Sequence, residues 1–288
     1  MGTSTGNPGQ GGSTPLIPSW LPPDGAAPPP PTDQPLPDGV LPPVPAPPAL
    51  PPIPPTEAAD RFTAARNNFS RFASSGGSDR ASLGRALSHY VSTALGGSRA
   101  AAQRMGSSRT AGAQLLGFLS GALANGPREA LRALNLQNLA GRPIEEVFLG
   151  LIDYVCPDGG TLDEGIAREA FIETIADLAE NGVADLDSLT ADQMQTIFEL
   201  YATHAIETRL CNDIGIKAIT LPANATQAAS VQAQLLDFVR RSVADSLTQA
   251  RTAMLALTPQ RVSGFVTRVY EQAFGILQTL AEAEAEAL

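Results

Sequence analysis

The chain has 288 residues, a net charge of −10 and only two cysteines. Because an acidic chain with a pI of about 4.7 repels phosphate backbones, the composition argues against non-specific nucleic-acid binding. Two distant cysteines exclude a disulfide framework, and no run of ~18 apolar residues or signal-peptide pattern occurs, so we expect a cytoplasmic protein that does not cross a membrane.

The first 55 residues differ sharply in composition from the rest of the chain. Residues 1–55 cannot bury a core, so we expect an extended Gly/Pro-rich tail followed by a single all-helical domain over residues 56–288. The tail opens with small, glycine-rich residues, and the repeated prolines of residues 15–55 favour a stiff polyproline II spacer. Apolar residues between the prolines indicate an anchor that docks on a partner or on the body: Leu16, Ile17, Trp20 and Leu21. The alternative is a low-complexity tether without a docking role.

Apolar residues at helical spacing predict the first helices of the body. One helix is expected from Thr56 to Gly76, and a second from Ser78 to Gly96, since glycine commonly ends a helix. A stretch rich in Arg, Ser and Gly follows at residues 98–108, and one interpretation is a flexible basic loop. Thr110 to Ala124 then predicts a helix with four leucines on one face: Leu115, Leu116, Leu119 and Leu123.

Helix-start patterns mark the middle of the chain. Pro127 and Pro143 are typical of a first helical turn and predict short helices that run to about Leu136 and Cys156. Two capping boxes predict two further helices: Thr161 with Glu164, and Thr190 with Gln193. The first should bury Ile166, Phe171, Ile175 and Leu178, and the second Met194, Ile197, Phe198, Tyr201 and Ala205.

The C-terminal region has the strongest helical periodicity. The first series is Leu236, Val239, Val243, Leu247, Ala250, Met254 and Leu257, and the second is Val262, Phe265, Val269, Ala273, Ile276 and Leu280. Thr258 and Pro259 separate them, which predicts a long antiparallel helical hairpin. The one short strand candidate is Ile214 to Leu221, so we expect an all-α bundle or array.

The sequence contains no recognisable catalytic or cofactor motif. It has no phosphate-binding loop and no nucleophile elbow, so we expect the chain not to be an enzyme and to need no cofactor. His204, Glu207 and Cys211 share a helix face, but they are not a familiar zinc set, and a polar or half-buried helix side is favoured. The carboxylates from Asp153 to Asp192 are interpreted as a solvated face rather than an acid/base pair.

Positive charge is concentrated before residue 150. Residues 56–150 carry a net charge of +5, whereas residues 151–288 carry −12. Five arginines in this part could bind phosphate or an acidic partner surface: Arg80, Arg85, Arg99, Arg104 and Arg109. Separate salt bridges to the acidic C-terminal half are an equal alternative. A nucleic-acid effector using these arginines would bind in a steeply salt-dependent way.

The leading segment carries a resemblance to a known family. The segment MGTSTGNPGQGGSTPLIPSWLPP places Gly2 before a Gly/Ser/Thr stretch and then Pro15, Pro18 and Trp20 in a P-x-x-P-x-W pattern. With the proline run and the Ala/Arg-rich helical body that follow, it resembles the QatB family of the bacterial Qat antiphage-defence system. About the first 23 residues carry the resemblance. Gly6 stands where the myristoylation pattern requires Ser or Thr, so lipidation of Gly2 is disfavoured.

The resemblance implies a partner and a modification. The implied partner is QatC, which is related to the ATP-using QueC enzymes that build 7-deazaguanine nitriles, and an ATPase and a TatD-like nuclease belong to the same system. The implied acceptor of a deazaguanine is Gly2 after loss of Met1. Residues 3–12, with Thr3, Ser4, Thr5 and Gly6 at their start, would thread the enzyme's cleft, and residues 16–20 would dock outside it. A competing hypothesis is an adaptor whose Pro-rich tail binds a partner without modification.

Overall fold

The computed structural model describes residues 61–157, 159–180, 185–215 and 224–287. Within these ranges the regular structure is entirely helical, which confirms the all-α prediction. The α-helices are α1 (Thr63–Ser74), α2 (Arg80–His89), α3 (Ser98–Arg104), α4 (Gly106–Asn125), α5 (Pro127–Ala133), α6 (Ile144–Val155), α7 (Leu162–Glu180), α8 (Ala191–Ile214), α9 (Ala225–Leu255) and α10 (Val262–Glu286). A π-helical segment, Tyr90–Ala94, extends α2, and a 3-10 turn, Gln137–Leu139, precedes α6. The strand candidate lies outside the described residues beyond Gly215.

Side-chain caps fix the starts of α7 and α8 where the sequence predicts them. The Thr161 backbone N–H donates to the Glu164 carboxylate at 2.9 Å, and the Glu164 N–H donates to the Thr161 hydroxyl at 3.2 Å. Thr190 and Gln193 make the same reciprocal pair at the start of α8. Each box satisfies backbone donors that a helix start leaves unpaired, which confirms both predictions.

The prediction of a basic loop at residues 98–108 is wrong. This stretch forms α3 and the first turn of α4, and the glycines Gly96 and Gly97, with φ of 84° and 92°, make the turn that precedes α3. Ala101 and Ala102 are buried at 0% and 1% exposure. Alanine is the strongest helix former and loses no side-chain entropy on burial, so the three consecutive alanines outweigh the Arg, Ser and Gly around them.

Helix α10 is the central packing element of the described residues. It contacts α2, α3, α4 and α9. Its approach to α2 is unusually close at Gly84, where an added Cβ would lie 2.5 Å from the Ala281 carbonyl oxygen and 2.7 Å from the Ala285 nitrogen. Glycine is therefore required in the interior of α2 because the two helices meet backbone to backbone.

Helices α9 and α10 form the predicted antiparallel hairpin. Arg80 lies over the Phe238 ring in the middle of α9, at 5.7 Å, and pairs with Glu284 near the end of α10. Most of the predicted apolar series is buried, Ala250, Leu257 and Leu280 are partly buried against the core, and Leu236 and Ile276 are half-exposed. Their expected places in the core are taken by Leu235, Phe238 and Leu277.

The predicted core residues of α7 and α8 are all buried. Phe171 of α7 stacks on Phe148 of α6 at 5.6 Å between ring centroids and meets Tyr201 of α8 edge-on at 6.3 Å. In α4, Leu115, Leu116 and Leu119 are buried as predicted, whereas Leu123 is 41% exposed. None of the helices in the described ranges combines the length and hydropathy that a membrane span requires.

Candidate functional site

The residues that the sequence assigns to modification and partner binding lie outside the described residues. They are Gly2, Thr3, Ser4, Thr5, Gly6, Leu16, Ile17, Trp20 and Leu21. The geometry that the structure describes is that of the helical body, within residues 61–287 and apart from the gaps given above.

An acidic cavity of about 650 Å³ lies between α7, α8 and the start of α9. Four carboxylates and His204 line it: Glu169, Glu173, Asp177 and Glu207. No lysine or arginine is among the lining residues that the structure describes. The described wall of the cavity is therefore strongly negative, and His204 is the one basic group among the lining residues that the structure describes.

His204 lies between two carboxylates, Asp177 of α7 and Glu207 of its own helix, α8. Its Nε2 lies 2.8 Å from Oδ2 of Asp177, and its Nδ1 lies 3.8 Å from Oε2 of Glu207. Burial works to lower the pKa of His204, but the neighbouring Glu207 and Asp177 outweigh burial and leave the pKa raised. The protonated imidazolium is thus favoured, and both ring nitrogens face carboxylates.

The His204, Glu207 and Cys211 set does not have the properties of a metal site. Across the described ranges, no group of His, Cys, Asp and Glu side chains has positions that could hold a metal ion. Burial raises the pKa of the Cys211 thiol to about 11 and that of Cys156 to about 12. Because the thiolate is the metal ligand and the nucleophile, both cysteines are poorly suited to either role.

A second polar network closes the C-terminal end of α8. The Tyr90 hydroxyl donates to Oδ2 of Asp213 at 2.9 Å, and Nε of Arg209 donates to the same oxygen at 3.2 Å. Arg66 donates from Nε to the Ile214 carbonyl at 2.7 Å, and Arg209 also donates to Asp163 at 2.5 Å. These contacts satisfy carbonyls at the helix end and tie α8 to α1, to the π segment and to α7.

The five arginines singled out in the sequence fall into two groups. Arg80 pairs with Glu284, Arg99 lies 3.8 Å from Glu271, and Arg85 lies 4.0 Å from Asp79. The salt-bridge hypothesis is therefore confirmed for Arg80 and Arg99, whose partners belong to the acidic C-terminal half. Arg104 and Arg109 have no ion-pair partner among the described residues, and Arg109 donates only to the Thr267 hydroxyl, at 3.3 Å.

The comparison with protein families places this body in one of them. The model of the Qat anti-phage system associated protein QatB matches residues 96–277, which is more than half of the chain. No curated protein matches the chain, and no solved structure does. The match spans α3 to α9 and most of α10, and it does not include the leading segment on which the sequence resemblance rests. The match of the helical body and the resemblance of the leading segment therefore indicate the same family. The chain belongs to the QatB family of the Qat anti-phage system, with a role in defence against phage.

Proposed function

We propose that this chain is the protein substrate of a QueC-like partner enzyme of the Qat system and accepts a deazaguanine-type group on the amine of Gly2. The observation that carries the proposal is the QatB family match over residues 96–277. The resemblance of the leading segment to the same family adds the position of the acceptor.

The composition of the leading segment fits such an acceptor. An amine that must reach an activated base inside an enzyme cleft needs a strand with small side chains, and residues 2–6 are Gly, Thr, Ser, Thr and Gly. The ATP-using partner would activate the deazaguanine, and the glycine nitrogen would form the new bond as the activating group and a proton leave. The proline-rich stretch to residue 55 would hold the acceptor away from the body.

The helical body supports a role in presenting and docking rather than in chemistry. Its buried histidine, His204, is held by Asp177 and Glu207, and its two thiols have raised pKa values. In this proposal the body contributes surface for the QueC-like enzyme and for the other Qat components.

The test is the intact mass of the full chain co-expressed with the QueC-like partner. We expect an adduct on the N-terminal peptide that contains Gly2, and we expect it to be lost or reduced at least about tenfold in Gly2→Ala, because an added methyl group beside the acceptor amine would hinder its approach to the activated base. Gly39→Ala is the matched control, since it makes the same change in the proline-rich stretch and should leave the adduct intact.

A second candidate function is an adaptor whose Pro-rich tail binds the partner without modification. The proline steps between residues 28 and 55 favour it, because polyproline segments are common ligands of aromatic-lined grooves. The same experiment separates the two functions. An unmodified tail that still co-purifies with an active partner supports the adaptor and contradicts the acceptor.

A further inference from the structure

Exposed apolar side chains are concentrated on two helices of the body. Among the described residues, four of the five large apolar side chains that are exposed belong to α6 and α7: Leu149, Tyr154, Leu162 and Ile172. Leu149 is 56% exposed and Ile172 is 47% exposed. Apolar residues that are exposed singly are common on protein surfaces, whereas a contiguous group of them marks a site of interaction. The packing of α6 on α7 decides which of the two applies here.

Helices α6 and α7 form an antiparallel pair. The Phe148 ring stacks on Phe171 with 5.6 Å between the ring centroids, and Nη1 of Arg168 donates to Oδ1 of Asp153 at 3.0 Å. The residue numbers therefore rise along α6 as they fall along α7. Each residue turns an α-helix by about 100°, so the residues that follow the two members of a facing pair point to the same side of antiparallel helices.

Leu149 and Ile172 follow the two stacked rings and therefore lie on one surface. Ile152 is three residues after Leu149, on the same side of α6, and is partly buried against the core. These three residues form the α6–α7 face. The Phe148 and Phe171 rings beneath it are fully buried. The face is thus an exposed extension of the core rather than a set of isolated side chains.

Carboxylates border the α6–α7 face on both helices: Glu145, Asp153, Glu169 and Glu173. The first two lie four residues before and after Leu149, and the last two lie three residues before and one residue after Ile172. Arg168 pairs with Asp153 and neutralises that one carboxylate. The other three have no ion-pair partner among the described residues. The apolar face therefore has a negatively charged border.

We propose that the α6–α7 face docks a protein surface whose apolar centre is bordered by lysine or arginine, and that this surface belongs to the QueC-like partner enzyme. The inference rests on the proposed function and adds the place on the body where the enzyme binds. Apolar side chains buried at the centre of such an interface supply affinity. Opposite charges at its border speed the encounter and disfavour other partners.

A protein partner fits this face better than a membrane or a nucleic acid. Anionic lipid headgroups and phosphate backbones are both negatively charged, so the carboxylates of the border repel them. The acidic cavity shares Glu169 and Glu173 with the border, and negative charge thus continues from the face toward α8. A basic protein surface complements the face and this continuation together.

The test is calorimetric titration of the full chain with the purified QueC-like partner in about 50 mM NaCl, where exposed charges are little screened. We expect Leu149→Ser and Ile172→Ser each to weaken binding about fivefold or more, because each removes apolar surface from the centre of the interface. Glu173→Lys should weaken binding about tenfold, because it places a positive charge opposite a basic border. Raising NaCl to about 300 mM should also weaken wild-type binding, by about tenfold.

The body offers a matched control for each kind of change. Leu123→Ser replaces a leucine that is 41% exposed on α4, and Asp245→Lys reverses an exposed carboxylate on α9. Both should change the Kd by less than about twofold, because neither residue belongs to the α6–α7 face or its border. Since all the replaced side chains are exposed, each variant should unfold in urea at about the wild-type midpoint.

The adduct at Gly2 separates the docking surface from the proposed function. If the wild-type chain neither binds the partner nor gains the adduct on co-expression, the proposed function is wrong and the docking surface falls with it. If the adduct forms without measurable binding, the docking surface alone is overturned. It is likewise overturned if the wild-type chain binds but Leu149→Ser, Ile172→Ser and Glu173→Lys all bind as tightly. Binding without the adduct contradicts the acceptor, and the three variants still decide the surface.

Sedimentation of the chain alone tests whether a second copy covers the face instead. We expect the same mass for the wild-type chain, Leu149→Ser and Ile172→Ser. A wild-type dimer that either substitution dissociates would identify the face as an interface between copies and would overturn the proposal.

Discussion

Replacing Gly84 with alanine tests the backbone contact between α2 and α10. The new methyl group would lie 2.5 Å from the Ala281 carbonyl oxygen and 2.7 Å from the Ala285 nitrogen. Both atoms are backbone atoms of α10 and have no rotamer to adopt. The two helices must therefore separate over their whole contact, since neither neighbour can move alone.

The magnitude follows from two opposing effects. Relieving the overlap requires a separation of roughly 0.5–1 Å, which forfeits a quarter to a half of the attraction at each affected contact. Forced overpacking of this kind costs about 3 kcal/mol at the upper end of its usual range. Alanine is favoured over glycine inside a helix by about 1 kcal/mol, so we expect Gly84→Ala to lower the free energy of unfolding by about 2 kcal/mol.

Urea denaturation of the full chain measures this loss, and Gly117→Ala is the matched control. Gly117 lies in the interior of α4, and an added Cβ there meets nothing within 4 Å. Only the propensity term remains, so the control should raise the free energy of unfolding by about 0.5–1 kcal/mol. Equal effects of the two substitutions would refute the close approach of α2 and α10.

Three further predictions concern single side chains. His204 has a raised pKa in the folded state, so its contribution to stability is complete below about pH 6.5, the unfolded value, and declines as the pH rises through the folded value. Urea unfolding from pH 5.5 to 8.5 should show this decline in wild type and in His89→Gln but not in His204→Gln. Thr190→Ala removes a capping box and should lower the free energy of unfolding by about 1 kcal/mol, and an unchanged denaturation midpoint would contradict it. Cys156 and Cys211 should resist alkylation in the native chain at pH 8, because burial raises the pKa of both thiols. Rapid labelling of either thiol, measured by mass spectrometry, would contradict this prediction.

The helices that the sequence predicts best are those with local start patterns. The boxes at Thr161 and Thr190 depend on residues three positions apart, so a short stretch of sequence contains the whole structural cause. Residues 98–108 were harder to predict, because Arg, Ser and Gly favour a loop locally and only the burial of Ala101 and Ala102 in the tertiary structure decides for a helix.

Register within the long helices also depends on tertiary packing. Leu235 and Leu236 both continue a helical series to Val239, and periodicity alone does not choose between them. The tertiary packing of α9 buries Leu235 and leaves Leu236 half-exposed. Leu277 replaces Ile276 for the same reason.

The chemistry of the body was only partly visible in the sequence. The helical spacing correctly placed His204 and Glu207 on one face of α8, but it gave no indication of Asp177, which a different helix supplies. Among the arginines, the sequence gave no indication of which acidic residue is the partner of Arg99, because that partner, Glu271, is more than a hundred residues away. The family match over residues 96–277 likewise falls on the helical body, whereas the sequence resemblance rests on the first residues.

The central position of α10 has a consequence for how the protein is made. Helices α2, α3 and α4 all bury apolar surface against a helix that begins at Val262, more than 130 residues after the end of α4. During translation this apolar surface stays uncovered until residues 262–286 have left the ribosome. Such long-range closure slows folding and prolongs the exposure of apolar surface that promotes aggregation.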